Sequence, residues 1–248
     1  MIKIVIFGNG NVATQLTKSF LITKKATVIQ VYSRKNDNDF FLKKQIPVTN
    51  SFKDLKKADI YLIAISDDAI EDFSKQIPFK DILTVHTSGA VSMHAIASEN
   101  KGVFYPLQSI SKSKKISFKK VPICIESNSK KDLKLLKKLA KSISKKVYKI
   151  DSEQREKLHV AAVFVNNFVN YLYTVAEEIC VQQQVPFSIL KPLIKETAKK
   201  IEKISPYQAQ TGPAKRNDIK TIDKHLNILN KEQQNIYQLL TKAIQDKF

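Results

Sequence analysis

Gly8, Gly10 and Ala13 stand at the spacing Gly-x-Gly-x-x-Ala directly after the apolar run 2–7, and a helical pattern (Val12, Leu16, Phe20) follows them. In that setting the first glycine lets the chain turn and the second lets backbone approach a pyrophosphate. The small Ala13 lets the helix pack on its own strand. The start of such a helix offers free N–H groups and the positive end of its dipole to phosphate oxygens. Strand, tight turn and helix in this order predict a dinucleotide-binding turn.

The second strand decides which dinucleotide. It closes on Val31-Tyr32-Ser33-Arg34. A cofactor without a 2′-phosphate is gripped at its ribose by an acid about 20 residues after the glycines, and no acid stands at this tip. A carboxylate would repel a 2′-phosphate, whereas a hydroxyl followed by a guanidinium suits it. Ser33 and Arg34 therefore point to NADP(H) over NAD(H). The alternative makes Arg34 a solvated loop residue and needs Asp37 or Asp39 to curl back to the ribose.

Two further strand ends are polar, Ile65-Ser66-Asp67-Asp68 and His86-Thr87-Ser88-Gly89. Ligands of open α/β sheets lie beyond the carboxyl ends of strands, so Ser66, Thr87 and Ser88 are expected on the nicotinamide side. Ser66 fits a helix cap equally well, and Ser88-Gly89 also suits a plain turn. Farther on, His159 shares a helical face with Val163, Asn166 and Asn170, with Asn167 nearby. A lone helical histidine is commonly a satisfied, part-buried residue. A face that adds amides to an otherwise apolar helix is costlier to bury without a use. It would position a carbonyl or imine and supply a proton near neutral pH.

These residues need elements to hold them. Strands are predicted at 2–7, 26–32, 59–65, 82–87, 103–107, 121–126 and 146–150, with a short one near 46–48, and helices at 11–22, 38–44, 67–76 and 130–143. Alternating units with near-continuous apolar strands predict an α/β fold with a doubly wound, mostly parallel sheet. From Asp151 the pattern turns helical. Asp151-Ser-Glu-Gln154 has capping-box spacing. An apolar stripe then runs to about Val181, a helix of about thirty residues or roughly 45 Å. Phe164 and Tyr171 make it apolar on more than one face, which calls for burial on two sides, one of them against a second subunit. Amphipathic helices are predicted at 219–229 and 231–246. The organisation is residues 1–150 as a dinucleotide-binding domain and 151–248 as an all-helical substrate and dimerisation domain. Arg155, His225 and a Phe104-Tyr105-Pro106 turn read as structure.

The net charge is +19, from 39 lysines and three arginines against 23 acids. The lysines are spread over nearly every predicted helix, whereas nucleic-acid readers lean on arginine forks and stacked aromatics. A lysine-favouring composition accounts for the charge, and no nucleic-acid partner is expected. No apolar run approaches the ~20 residues of a membrane span, and a chain opening on a core strand predicts no cleaved leader. Cys124 and Cys180 are the two cysteines. Their apolar surroundings fit a reducing cytoplasm without a disulfide framework, and no Cys/His cluster has metal-ligand spacing. Glycine is scarce, five residues in 248, which draws attention to Gly8, Gly10 and Gly89 at the expected site.

The segments Gly-Asn-Gly-Asn-Val-Ala, Val-Tyr-Ser-Arg, His-Thr-Ser-Gly, Phe-Tyr-Pro-Leu-Gln, Gln-Arg-Glu-Lys-Leu-His-Val-Ala-Ala-Val-Phe and Gln-Thr-Gly-Pro-Ala-Lys-Arg-Asn-Asp span nearly the whole chain. Together they resemble a bacterial family that joins a Rossmann-like domain, similar to the deazaflavin-dependent NADP oxidoreductases, to a helical domain of unknown function. Its wider kin are pyrroline-5-carboxylate reductase, ketopantoate reductase and 6-phosphogluconate dehydrogenase. The resemblance places Gly8, Gly10, Asn11 and Val12 on the pyrophosphate, Ser33 and Arg34 on the 2′-phosphate, and Thr87 and Ser88 near the nicotinamide. It puts His159 and Asn166 or Asn167 where the relatives carry a catalytic or substrate-orienting residue, often a lysine. It brings no substrate with it. The expectation is a cytoplasmic, homodimeric NADP(H)-dependent oxidoreductase acting on a small carbonyl- or imine-type metabolite. His159 would handle the proton, with Asn166 and Ser88 orienting the substrate. The rival is a non-catalytic NADP-binding sensor or regulator.

Overall fold

The computed structural model describes residues 1–35, 39–111 and 116–248; Asp37 and the first residue of the helix predicted at 38–44 lie outside them. Strands β1 (Ile2–Phe7), β2 (Ala26–Tyr32), β3 (Val48–Thr49), β4 (Ile60–Ile63), β5 (Leu83–His86), β6 (Lys101–Pro106), β7 (Ile123–Ser127) and β8 (Val147–Lys149) form one sheet in the order β3-β2-β1-β4-β5-β6-β7-β8. Neighbours run parallel except β6 and β7, which are antiparallel. Helices α1 (Asn11–Ile22), α2 (Asp39–Lys43), α3 (Ile70–Lys75) and α4 (Lys130–Ile143) belong to this part of the chain. The expected sheet is present, mostly parallel and doubly wound.

Alternation along the inner strands feeds two cores. Ile4, Ile6, Ile60 and Leu62 pack with Leu16 and Phe20 of α1 and Leu136 and Leu139 of α4. Val5, Phe7, Tyr61 and Ile63 pack on the other face with Ile70 and Ile77. Strands buried on both faces are continuous apolar runs for this reason. β1 lies between β2 and β4, so the chain leaves it in opposite directions along the sheet. That reversal opens the crevice at the carboxyl ends where ligands of such sheets bind.

The chain divides into two compact units, Met1–Asn166 and Asn167–Phe248, a later division than the expected change after residue 150. The physical reason is the first half of the long helix, α5 (Ser152–Ala162). Its Arg155 is ion-paired to Glu126 of β7, and its Leu158 packs on Met93, Val103, Tyr105 and Cys124. A π-helical turn, Val163–Phe168, follows, and then α6 (Val169–Gln182).

The second unit is helical, with α6, α7 (Lys191–Lys200), α8 (Pro206–Ala209), α9 (Ile219–Ile228) and α10 (Lys231–Gln245). Phe164, Val165, Phe168 and Tyr171 are exposed, Val165 by 75%. Among the described residues no helix is long and apolar enough to cross a membrane.

Candidate active site

All eight residues expected to bind cofactor, Gly8, Gly10, Asn11, Val12, Ser33, Arg34, Ser66 and Thr87, line one cavity of about 960 Å³. It lies at the carboxyl ends of β1, β2, β4 and β5. Gly8 is required by the chain itself. Its φ is +114°, and a Cβ there would sit 2.3 Å from the carbonyl oxygen of Ala64. Gly10 is different. Its φ of −73° and ψ of −167° suit any residue, and a Cβ would meet no atom within 4 Å. Nothing in the fold asks for glycine at this position, so its bare Cα leaves a cradle open on the cavity side. α1 starts here with no side-chain cap, which leaves the first N–H groups of the helix for a ligand. Asn11 is committed through its side chain, whose Nδ2 donates to the carbonyl oxygen of Ile110 at 3.3 Å. What it offers a ligand is its backbone N–H at the uncapped start of α1.

At the far end of the cavity, the Ser33 hydroxyl donates to the Lys35 carbonyl at 2.7 Å and is buried. It shapes the loop, and the exposed cations Arg34 and Lys35 supply the positive charge. Lys35 was not anticipated. Asp72 also lines the cavity, with its carboxylate turned to the Lys75 ammonium at 2.9 Å. A two-cation end, a glycine cradle and an uncapped helix start fit a phosphorylated dinucleotide.

Ser66 occupies the N-cap position of the turn Asp67–Ala69, but its hydroxyl makes no capping bond. Of the two readings of Ser66, the capping bond is not made, and the residue lines the cavity. Ser88 departs from expectation in the opposite sense. Its hydroxyl donates to Asp67 Oδ2 at 2.8 Å and accepts from the N–H groups of Ala90 (3.1 Å) and Val91 (3.0 Å). One proton and two lone pairs are thereby used. Ser88 ties the β4 and β5 loops together, and the geometry leaves it no capacity to orient a substrate.

His86 fixes the same loop from below. Its Nδ1 accepts from the N–H of Ser88 at 3.2 Å, which puts the ring proton on Nε2, 3.3 Å from the Ser92 carbonyl. Burial, reinforced by the nearby Arg155 cation and opposed by the Ser92 carbonyl, pushes its pKa down to about 4. The ring is a neutral strut at physiological pH.

The start of α5 is held firmly. Asp151 and Gln154 form the expected capping box. The Arg155 side chain is 1% exposed; Nη1 donates to Glu126 Oε2 at 2.5 Å, and Nη2 donates to the Val91 carbonyl and to Ser152 Oγ. One turn later, His159 lies against the Gly89 backbone. A Cβ on Gly89 would sit 2.5 Å from His159 Nδ1 and 2.9 Å from Tyr105 Cζ. The Tyr105 hydroxyl lies 3.1 Å from Nδ1, with the rings edge to face at 74°. Gly89, against which His159 lies, is two residues from Thr87, which lines the cavity.

Asn166 lies within the π turn Val163–Phe168, which departs from the 3.6-residue spacing used to place it on the His159 face. Tyr105, expected in the strand at 103–107 but given no role beyond structure, is a residue of β6 paired with Cys124 of β7. The available signal was the period-2 alternation Val103, Tyr105, which puts both on one sheet face. The histidine 54 residues away gave no local sign.

The comparisons agree with this architecture. Residues 121–244 match the family described as a domain of unknown function, DUF2520. A solved Bacteroides fragilis protein, described as a candidate NADP oxidoreductase, is 36% identical over 99% of this chain and 98% of its own, with a TM-score of 0.89. In fold alone, 1-pyrroline-5-carboxylate reductase from Streptococcus pyogenes is similar, at 13% identity, TM-score 0.67 and coverage of 99% and 98%. So is an imine reductase from Myxococcus stipitatus solved with NADP+, at 15% identity, TM-score 0.66 and coverage of 98% and 92%. No curated protein matches the sequence. Matched end to end by the Bacteroides protein and through its second half by the family pattern, the chain belongs to the DUF2520 family.

Proposed function

We propose that this protein is an NADP(H)-dependent oxidoreductase acting on a small metabolite through a carbonyl or imine group. The observation that carries the reading is the cavity at the sheet's switch point, with an unneeded glycine at one helix start and two cations at its far end. The names of the relatives support it, since one is described as an NADP oxidoreductase and another was solved with NADP+. Bound there, the dinucleotide supplies or accepts a hydride. The chain does the rest. Gly10 and the N–H groups of Asn11 and Val12 receive the pyrophosphate, and Arg34, with Lys35, receives the 2′-phosphate. Ser66 and Thr87 border the nicotinamide end. His159, beside Gly89, holds or moves the proton at the substrate's oxygen or nitrogen. Asn166, in the turn that follows α5, is the amide that orients the substrate.

Arg34→Ala tests the assignment. Charge-assisted bonds of about 1.5–3 kcal/mol mean NADPH affinity should fall by about one to two orders of magnitude while NADH affinity stays put. Equal loss for both dinucleotides, or none, would remove Arg34 from the 2′-phosphate.

The active form is a homodimer through the helical unit. Ile189 and Leu193 are each 63% exposed there, and Leu239 is 70% exposed. Apolar surface of that kind marks an association face. Light scattering on the purified protein should give twice the chain mass of 28.2 kDa, and a monomeric mass at working concentration would end the dimer reading.

A further inference from the structure

We infer that Tyr105 is a positioning residue that fixes the tautomer of His159, accepting at Nδ1 and donating at Nε2, and so matches the site to a neutral acceptor group on the substrate. This rests on the oxidoreductase reading for its purpose, but not for its geometry.

The geometry starts with the phenol. Tyr105 is 9% exposed and packs among Met93, Val103 and Cys124. Burial, with Cys124 and Asp67 adding and Arg155 opposing, pushes its pKa up from the ordinary tyrosine value. The group therefore remains a phenol and carries one proton that needs an acceptor. Among the described residues the acceptor within bonding distance is His159 Nδ1, at 3.1 Å. Were Nδ1 protonated, the phenol proton would be left unsatisfied in a mostly apolar setting, a costly arrangement. Nδ1 therefore accepts, and the neutral ring carries its proton on Nε2.

Two further features make the pairing rigid. Gly89 lets the imidazole and the phenol lie directly on the backbone, where any side chain would displace both rings. Arg155, one turn earlier, is anchored to Glu126 and to the Val91 carbonyl of the same loop. Histidine, phenol and loop thus form one unit, with Nε2–H as its outward function. A hydrogen-bond donor is matched to a carbonyl oxygen or an unprotonated imine nitrogen. It is mismatched to a protonated amine, which has only donors of its own.

The test reads the ring directly, in the full-length protein without cofactor. Two-bond proton–nitrogen correlation spectra of 15N-histidine-labelled protein, with His159 assigned through a His159→Gln variant, distinguish the two tautomers. In the wild type, Nε2 should be protonated and Nδ1 should be an acceptor with a hydrogen-bonded shift. In Tyr105→Phe that Nδ1 resonance should move to the position of a free acceptor nitrogen. Gly89→Ala should produce the same loss by displacing the ring, with helix content unchanged by circular dichroism. A protonated Nδ1 in the wild type overturns the inference, as does an Nδ1 resonance unmoved in Tyr105→Phe. The functional reading fails separately, by absence of NADPH binding, and leaves the spectra to be judged by themselves.

Discussion

Arg155→Leu should destabilise the Met1–Asn166 unit by about 3–5 kcal/mol, measured by urea unfolding. The reason is the charge left behind. Glu126 is 13% exposed in the ion pair, and its other bonds come from the N–H (3.0 Å) and hydroxyl (2.8 Å) of Ser152. Removing the guanidinium strands a carboxylate in a site with little water, and it also frees the Val91 carbonyl. Removing both charges is a different matter. In Arg155→Leu/Glu126→Leu the stranded charge is gone, and most of the loss should be recovered, since replacing a whole buried pair by apolar groups is often close to neutral. Arg155 Nε has no hydrogen-bond partner among the described residues, so the native pair is itself imperfectly satisfied. A single-variant loss below about 1 kcal/mol, within the range of exposed pairs, would contradict the account of α5 as pinned to the sheet.

Gly10→Ala should leave the fold intact and abolish most dinucleotide binding. The backbone there is extended, and a Cβ meets open space, so stability should change by less than about 1 kcal/mol, the scale of an N-cap exchange. The same methyl would fill the cradle that a pyrophosphate needs. Losing two charge-assisted bonds of about 1.5 kcal/mol each weakens NADPH by roughly a hundredfold. Gly8→Ala is the instructive contrast. With φ at +114° and a carbonyl oxygen 2.3 Å from the new methyl, it should fail as a folding variant. If Gly10→Ala bound NADPH as well as the wild type, the phosphate turn would be structural only.

The dinucleotide half of the site was legible because its chemistry is local. The glycines, the strand tip at Ser33-Arg34 and the strand ends at Ser66 and Thr87 are each set by short-range rules, and they converge on one cavity. α1 and α4 were legible to the residue, α1 from its apolar spacing behind the glycine turn and α4 from an amphipathic pattern capped by Ser129. What escaped depends on contacts between distant segments. Ser88 offered a hydroxyl of evident use, but its bonds to Asp67 and to two loop amides are set by how two strand ends meet. Tyr105 acquires its role from a helix 54 residues on. The π turn at Val163–Phe168 escaped because every residue in it is compatible with an ordinary helix. The antiparallel β6–β7 pair was within reach, because no helical pattern separates the two strands and a parallel crossover needs one.

The central claim is that this cavity takes NADP(H), and direct binding tests it most simply. Purified protein would be titrated with NADPH and with NADH side by side, following nicotinamide fluorescence. The account predicts saturable NADPH binding at least ten times tighter than NADH, a difference of about 1.4 kcal/mol or more supplied by Arg34 and Lys35. Preference for NADH, or no binding of either, would contradict it.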